Sequence, residues 1–253
     1  MKKLLLFCSL LLATNTFAGV KGLELGTEDE IRPVNVITEK ENFKGKASLK
    51  VYADPEVTDS IKEKTSKLIQ DFQARGKQPT PADLEHLSTS HLVVFDTIEF
   101  SKGTIEAEIV GSLSSNATGQ ARGFVGIAWN VQDDKTYDCI YLRPTNGRAN
   151  NQQRRNHSVQ YISHPDWTWY RLRIEMPSKY EAYVDIVPDE WTKVKIVVED
   201  QSAKLYINEV EQPTLIINDL KTGREAGGNV ALWIHSSTIG RFRNLKITRL
   251  LKL

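Results

Sequence analysis

The densest set of chemically capable side chains lies between Arg143 and Trp169. There Arg143, Arg148, Arg154 and Arg155 are interleaved with Asn146, Asn150, Asn151, Gln152, Gln153, Asn156 and Gln160, and with His157, Tyr161, His164, Trp167 and Trp169. Amides and guanidinium forks meet hydroxyl groups, aromatic faces stack on apolar C–H surfaces, and arginine grips carboxylate or sulfate in pairs of hydrogen bonds. A solvated loop that satisfies its own backbone would have the same composition. Carboxylate pairs are fewer. Glu106 and Glu108 alternate in a strand-like run, which puts them on one face about 6.6 to 6.8 Å apart. That spacing falls in the roughly 6.5 to 9.5 Å range of two carboxyl groups working through a water. The same alternation also makes them the wet face of a half-buried strand. Glu181 and Asp185 share a face but stand about 13 Å apart, too far to act together.

Other chemistries find less material. The five histidines, His86, His91, His157, His164 and His235, lack the paired spacing of a zinc site, so the sequence points to no metal site built on them. Asp133, Asp134 and Asp138 could hold calcium across a loop, although an acidic turn without a ligand ladder is ordinarily just solvated. Cys139 alternates within a strand and reads as a packed thiol. No Gly-x-Ser-x-Gly elbow, phosphate loop or dinucleotide fingerprint occurs.

The elements that position these residues are mostly strands. From about residue 92 onward, runs rich in Val, Ile, Tyr, Phe and Trp alternate with turn residues at the spacing of an all-β sandwich. The expected strands are 104–110, 123–131, 137–143, 159–163, 170–176, 180–187, 191–199, 204–208, 229–235 and 241–248. Thr104 to Ile109, Tyr170 to Glu175 and Thr192 to Ile196 alternate apolar with charged residues, so each strand is expected to bury one face and wet the other. Asn146-Gly147 reads as a hairpin turn. Tyr137, Cys139, Tyr141 and Arg143 fall opposite Ile140 and Leu142, and Trp233 and His235 fall opposite Leu232 and Ile234. If the Leu and Ile sides form the core, Tyr141, Arg143, Trp233 and His235 line a concave sheet facing the arginine-rich loop. The alternative makes those aromatics core residues. Upstream, 34–37 and 47–52 read as strands around a Phe43–Gly45 turn.

Ile61, Thr65, Leu68, Ile69 and Phe72 recur at helical spacing behind a Ser60–Glu63 capping box, and a second turn follows from Thr80 through Pro81 to Leu87. A helical insertion near 58–87 is therefore expected, covering a sheet edge or lying as a lid over a site.

The 253 residues are 40% hydrophobic and 26% charged, which excludes collagenous, low-complexity and disulfide-stapled classes. Met1-Lys2-Lys3, the apolar run Leu4 to Ala13 and Thr16-Phe17-Ala18 read as an export leader cut after Ala18, leaving one domain over 19–253. Removing Lys2 and Lys3 from 33 basic residues brings them close to the 32 acidic ones. Balanced charge gives no pull toward phosphate backbones, and no later apolar window is long enough to span a bilayer. The sequence thus predicts a secreted protein, periplasmic or extracellular, with no nucleic-acid partner and no membrane insertion.

Phe100 to Glu108, Gly123 to Trp129, Trp191 to Ile196 leading into Ala203 to Asn208, and Gly228 to Trp233 before Phe242 to Ile247 resemble the strand order of concanavalin A-like lectin/glucanase domains. The likeness is nearest to laminin-G-like modules and the bacterial 3-keto-disaccharide hydrolase domain, over about residues 92–250. It implies a jelly-roll of two curved antiparallel sheets, with the helical insertion and residues 143–166 as departures. The Glu-x-Asp-x-x-Glu of the superfamily's retaining glucanases is absent. Three functions are compatible with this resemblance. One is a carbohydrate-recognising domain using Tyr141, Arg143, Arg148, Arg154, Arg155, His157 and Trp233. Another is a glycoside hydrolase or lyase in the same groove, with His157 or His235 and Glu106 or Glu108 in acid/base roles. The last is a protein-interaction or structural module. No cofactor is implied beyond calcium.

Overall fold

The computed structural model describes residues 17–23, 31–85, 87–115, 117–222 and 227–250. Residues 1–16 of the expected leader lie outside the described residues, and its last two, Phe17 and Ala18, belong to a described strand. Two antiparallel sheets are stacked. The first runs β13 (Leu215–Ile217), β12 (Ala203–Ile207), β11 (Thr192–Val198), β6 (Gly103–Leu113), β15 (Thr238–Leu250), β4 (Lys46–Ala53) and β3 (Val36–Phe43). β1 (Phe17–Leu23) pairs with the distal half of β15. The second runs β10 (Glu181–Ala182), β9 (Val159–His164), β8 (Tyr137–Leu142), β7 (Val125–Val131), β14 (Gly228–Ile234), β5 (Leu92–Phe100) and β2 (Arg32–Val34). These are the stacked antiparallel sheets that the alternation predicts and the jelly-roll that the resemblance implies.

A Cβ on Gly111 of β6 would meet Val125 Cγ1, and one on Gly240 of β15 would meet Ile234 Cγ2. Val125 and Ile234 therefore face the first sheet. In register with them, Leu142 and then Ile127, Ile140 and Leu232 complete the second sheet's contribution to the core. The first sheet supplies Ile105, Ile109, Val194, Ile196, Leu205 and Phe242. Burial alternates in β6, β11 and β12, as the period-two pattern requires. In β7 and β8 every residue is buried. The expectation that each strand wets one face fails for the second sheet, whose outer face is covered by helices and loops.

Eight of the ten expected strands after residue 92 form. The run 170–176 is instead helix α5 (Trp169–Glu175). Thr168 caps it by accepting from Arg171 N, and Arg171 Nε reaches Glu175 Oε1 one turn on at 2.8 Å. Local capping and the i,i+4 pair outweigh the alternating pattern, and Ile174 is left 61% exposed. The run 180–187 keeps only β10. Asn146-Gly147 forms no hairpin: it ends the helical turn α3 (Pro144–Gly147), followed by α4 (Gln152–Asn156). A Cβ on Gly147 would strike the backbone of Ile186 at 2.1 Å, so the turn packs backbone to backbone.

The Lys44-Gly45 turn forms as expected, with φ of 51° and 76°. The insertion lies between β4 and β5 as α1 (Pro55–Ala74) and α2 (Pro81–Glu85). α1 starts before the Ser60 box, because Asp54 accepts from Glu56 N and Pro55 occupies the first turn. Its apolar stripe is half-buried, and none of its residues is fully buried. Among the described residues no helix is long and apolar enough to cross a membrane.

Candidate functional site

On the covered face of the second sheet, Trp233, Gly126 and Tyr141 stand in one row across β14, β7 and β8. A Cβ on Gly126 would lie 2.3 Å from Ile140 O and 2.6 Å from Tyr141 Cβ. Its absence lets the two rings lean over the central strand and stack at 4.8 Å, with 23° between planes. Ala231, Ala128 and Cys139 form the next row, all small. Beyond it Tyr137 stacks on His164 at 5.1 Å. The Tyr137 hydroxyl accepts from Ser90 Oγ and Trp233 Nε1, each at 3.2 Å.

The helical insertion roofs this floor and leaves a cleft of about 230 Å³. Ile61 and Thr65 of α1, with Leu84 and Leu87, form the apolar wall. His91, Tyr137, His164, Trp233 and His235 face it. The volume is below the roughly 300 to 1,000 Å³ of pockets for drug-sized ligands and suits a single sugar ring.

The histidines differ in tautomer. His91 donates to the Thr89 carbonyl, while its Nε2 is buried with no partner. The proton therefore sits on Nδ1, and Nε2 offers a lone pair. Burial, reinforced by the neighbouring His235, pushes His91 down to about 4, so it is neutral at pH 7. Burial likewise pushes His164 down to about 4. At His235 the Ser237 backbone N–H donates to Nδ1 at 3.2 Å. The neutral ring then carries its proton on Nε2. One cleft thus holds a lone-pair nitrogen on His91 and an N–H donor on His235.

Beside the cleft lies a buried charge network. Arg143 donates to Glu181 Oε1 at 3.1 Å, to the Tyr141 hydroxyl at 2.8 Å and to Gln160 Oε1 at 2.6 Å. Arg173 also bonds Glu181, and His157 Nδ1 lies 2.8 Å from Glu181 Oε2. Burial alone would raise Glu181, but Arg173, Arg143 and His157 outweigh it and hold the carboxyl below its usual range. His157 is lowered, first by burial and then by Arg173 and Arg143, against the pull of Glu181.

The residues expected to act together are dispersed. Glu106 and Glu108 lie on the outer face of the first sheet, remote from His157 and His235. Cross-strand neighbours explain their identity: Glu106 faces Lys195 and Lys246, and Glu108 faces Lys193 and Arg243. Glu108 also meets Lys46 at 3.1 Å and Asn244 at 2.7 Å. Those partners outweigh its burial and hold it low, the reverse of what an acid catalyst needs. Tyr141, Arg143 and Trp233 lie on the expected face but are only 3%, 5% and 8% exposed, respectively, and Arg143 is spent on internal acceptors. Arg148 is exposed and paired with Asp185 at 2.6 Å, Arg155 with the Tyr183 hydroxyl at 2.6 Å, and Arg154 with Asn146 at 3.3 Å.

The three aspartates considered for calcium do not converge. Asp133 accepts from Lys135 N and Thr136 N, Asp134 pairs with Arg32, and Asp138 is buried with Asn130, Tyr161 and Thr222. Among the described residues no group of three His, Cys, Asp or Glu side chains is arranged to hold a metal ion. Sequence reasoning passed over His91, His164 and Tyr137 as site residues. Their only signal is a position at or beside a strand end, which becomes informative once the insertion is known to fold over them.

The model of the 3-keto-alpha-glucoside-1,2-lyase-like domain matches residues 89–248. That range contains His91, His164 and His235 and leaves out α1 and α2. Among solved structures, the carbohydrate binding module CBM66 from Bacillus subtilis superposes with a TM-score of 0.52 at 11% identity, covering 86% of this chain and 95% of that one. A Bacillus subtilis protein of unknown function with a galectin-like fold superposes at 0.51 and 9% identity, over 94% and 97% of the two chains. At those identities the likeness is one of fold. No curated protein sequence matches the chain. The match over residues 89–248, on a concanavalin A-like jelly-roll, means that this chain belongs to the family of 3-keto-alpha-glucoside-1,2-lyase-like domains.

Proposed function

We propose that the protein binds a glycoside in the roofed cleft and, where that glycoside carries a ketone at C3, cleaves it by elimination. The observation that carries this reading is the pair of opposite tautomers, His91 and His235, at one cleft whose lining among the described residues contains no carboxylate. Among those residues two-carboxylate hydrolysis has no pair to work with. Elimination does, because a C3 ketone acidifies the C2 proton. His91 Nε2 takes that proton, the electron pair forms the C1–C2 double bond, the C1–O bond breaks, and the departing aglycone oxygen takes up the proton held by His91, directly or through a water, which returns the imidazole to its neutral form. His235 Nε2–H hydrogen-bonds the ketone oxygen as negative charge develops on it. Trp233, whose ring stacks on Tyr141, offers its other face to the sugar once the insertion has moved. His91 Nε2 is buried, so the insertion must swing aside for entry, and its half-buried stripe supports that motion. The expected export leader suits a ligand met outside the cytoplasm.

The test is incubation with a 3-keto-glucoside and its unoxidised parent, following aglycone release and enone absorbance. The keto sugar alone is expected to react, and His91→Gln to slow it by about 10²- to 10⁴-fold. Tight binding of both sugars without turnover would instead identify a non-catalytic saccharide-binding domain.

A further inference from the structure

The loop before β7, the turn α3 and helix α4 bring three guanidinium groups to one corner. Arg143 precedes α3, the Arg122 carbonyl accepts from Thr145 N at 3.3 Å, and Arg154 Nε donates to Asn146 Oδ1 at 3.3 Å. Only Arg143 has a carboxylate partner, Glu181, which it shares with Arg173 and His157. Arg122 Nη1 meets only the carbonyls of Gly119 and Ala121, at 2.7 and 2.6 Å. Arg154 has only the Asn146 amide. Among the described residues neither has a carboxylate partner, and each guanidinium carries five N–H donors, so most of theirs are unspent on protein. In the same turn Thr145 Oγ1 is buried without a partner.

Crowding cations without a counter-charge costs energy, and the cost is visible in Arg122. Burial, then Arg154 and Arg143, lower its pKa from the usual guanidinium value. The half-buried Phe124 joins this corner to the cleft. Its ring lies 5.0 Å from that of His235 and 5.9 Å from the Arg143 guanidinium.

We infer that the corner is an oxyanion subsite, in which Arg122 and Arg154 take the carboxylate or sulfate of an acidic saccharide whose neighbouring ring occupies the cleft. The inference rests on the saccharide reading of the cleft and adds the class of ligand. Planar forks grip such anions in pairs of hydrogen bonds, and a neutral ligand would leave both cations uncompensated.

Calorimetric titration of the full chain tests it, using a disaccharide ending in glucuronate, the methyl ester of that disaccharide, and inorganic sulfate. The acid should bind at least about tenfold more tightly than the ester. Arg122→Gln/Arg154→Gln should erase that preference, and Arg122→Lys/Arg154→Lys should restore part of it. Equal affinity of acid and ester overturns the inference, as does a preference that survives the double glutamine variant. If neither sugar binds while sulfate does so only with both arginines present, the oxyanion corner stands and the saccharide reading of the cleft falls. If sulfate is indifferent as well, both fall.

Discussion

The outward faces of the two sheets solve opposite problems with similar residues. On the first sheet, Glu106 and Glu108 stand among Lys193, Lys195, Arg243 and Lys246 in a cross-strand ladder on the outer face, where Glu106 is open to water and Glu108 is largely covered by its partners. On the second, Arg143, Glu181, Gln160 and Tyr141 form a network sealed from solvent, and three histidines ring a roofed cleft. The first arrangement costs little and contributes little, because solvent screens each pair. The second pays for desolvation with hydrogen bonds, so every partner is demanding and few substitutions are tolerated. Chemical capability therefore follows the covered face, whose neutral histidines are a product of burial, and not the face richest in carboxylates.

That contrast can be broken experimentally. Arg143→Ala strands Glu181 beside Arg173 and His157 in a buried site, so denaturant unfolding should show a loss of about 3 to 5 kcal/mol. A loss below about 1 kcal/mol would put the network on a par with the exposed ladder.

The pH response gives a somewhat smaller effect. His91 titrates near 4 folded, against about 6.5 unfolded. A depressed folded value means that its contribution is complete above about pH 6.5 and is lost as pH falls through about 4. At roughly 1.4 kcal/mol per unit, this amounts to at most about 3.5 kcal/mol. His164 and His235, pushed down to about 4 by burial as well, lose stability over the same range, and Glu181, also depressed, adds a further loss below the ordinary carboxylate range. Stability measured from pH 7 to 4 should fall, and His91→Gln should flatten that fall. An unchanged slope in the variant would show that burial of His91 is not what acid opposes.

The smallest effect is expected on the other face. Glu106→Gln/Glu108→Gln should cost no more than about 1 kcal/mol, diminish further in high salt, and leave aglycone release as it was. A large loss of turnover would return these carboxylates to the chemistry.

Legibility in the sequence divides along the same line. Alternation in Thr104 to Ile109 and Thr192 to Ile196 is readable because one face is wet, and the register of β6, β11 and β15 follows from it. In β7, β8 and the last five residues of β14 both faces are buried, so alternation groups Tyr137 with Tyr141, and Trp233 with His235, but does not say which side is the core and which is roofed. Tyr170 to Glu175 alternates as well as any true strand, but the Thr168 cap and the Arg171–Glu175 pair make it a helix. Asp54 caps α1 and Pro55 opens it, more than a turn ahead of Ser60.

Local chemistry alone determined the all-β class and the helical insertion, because period-two alternation, caps and turn residues act between neighbours in the chain. Only the tertiary structure decided that α1 would roof the second sheet and that Arg143 would be consumed by Glu181. It also placed His91 and His235 at one cleft. Those outcomes depend on burial and on partners tens of residues away, and neither is encoded in the spacing of the residues concerned.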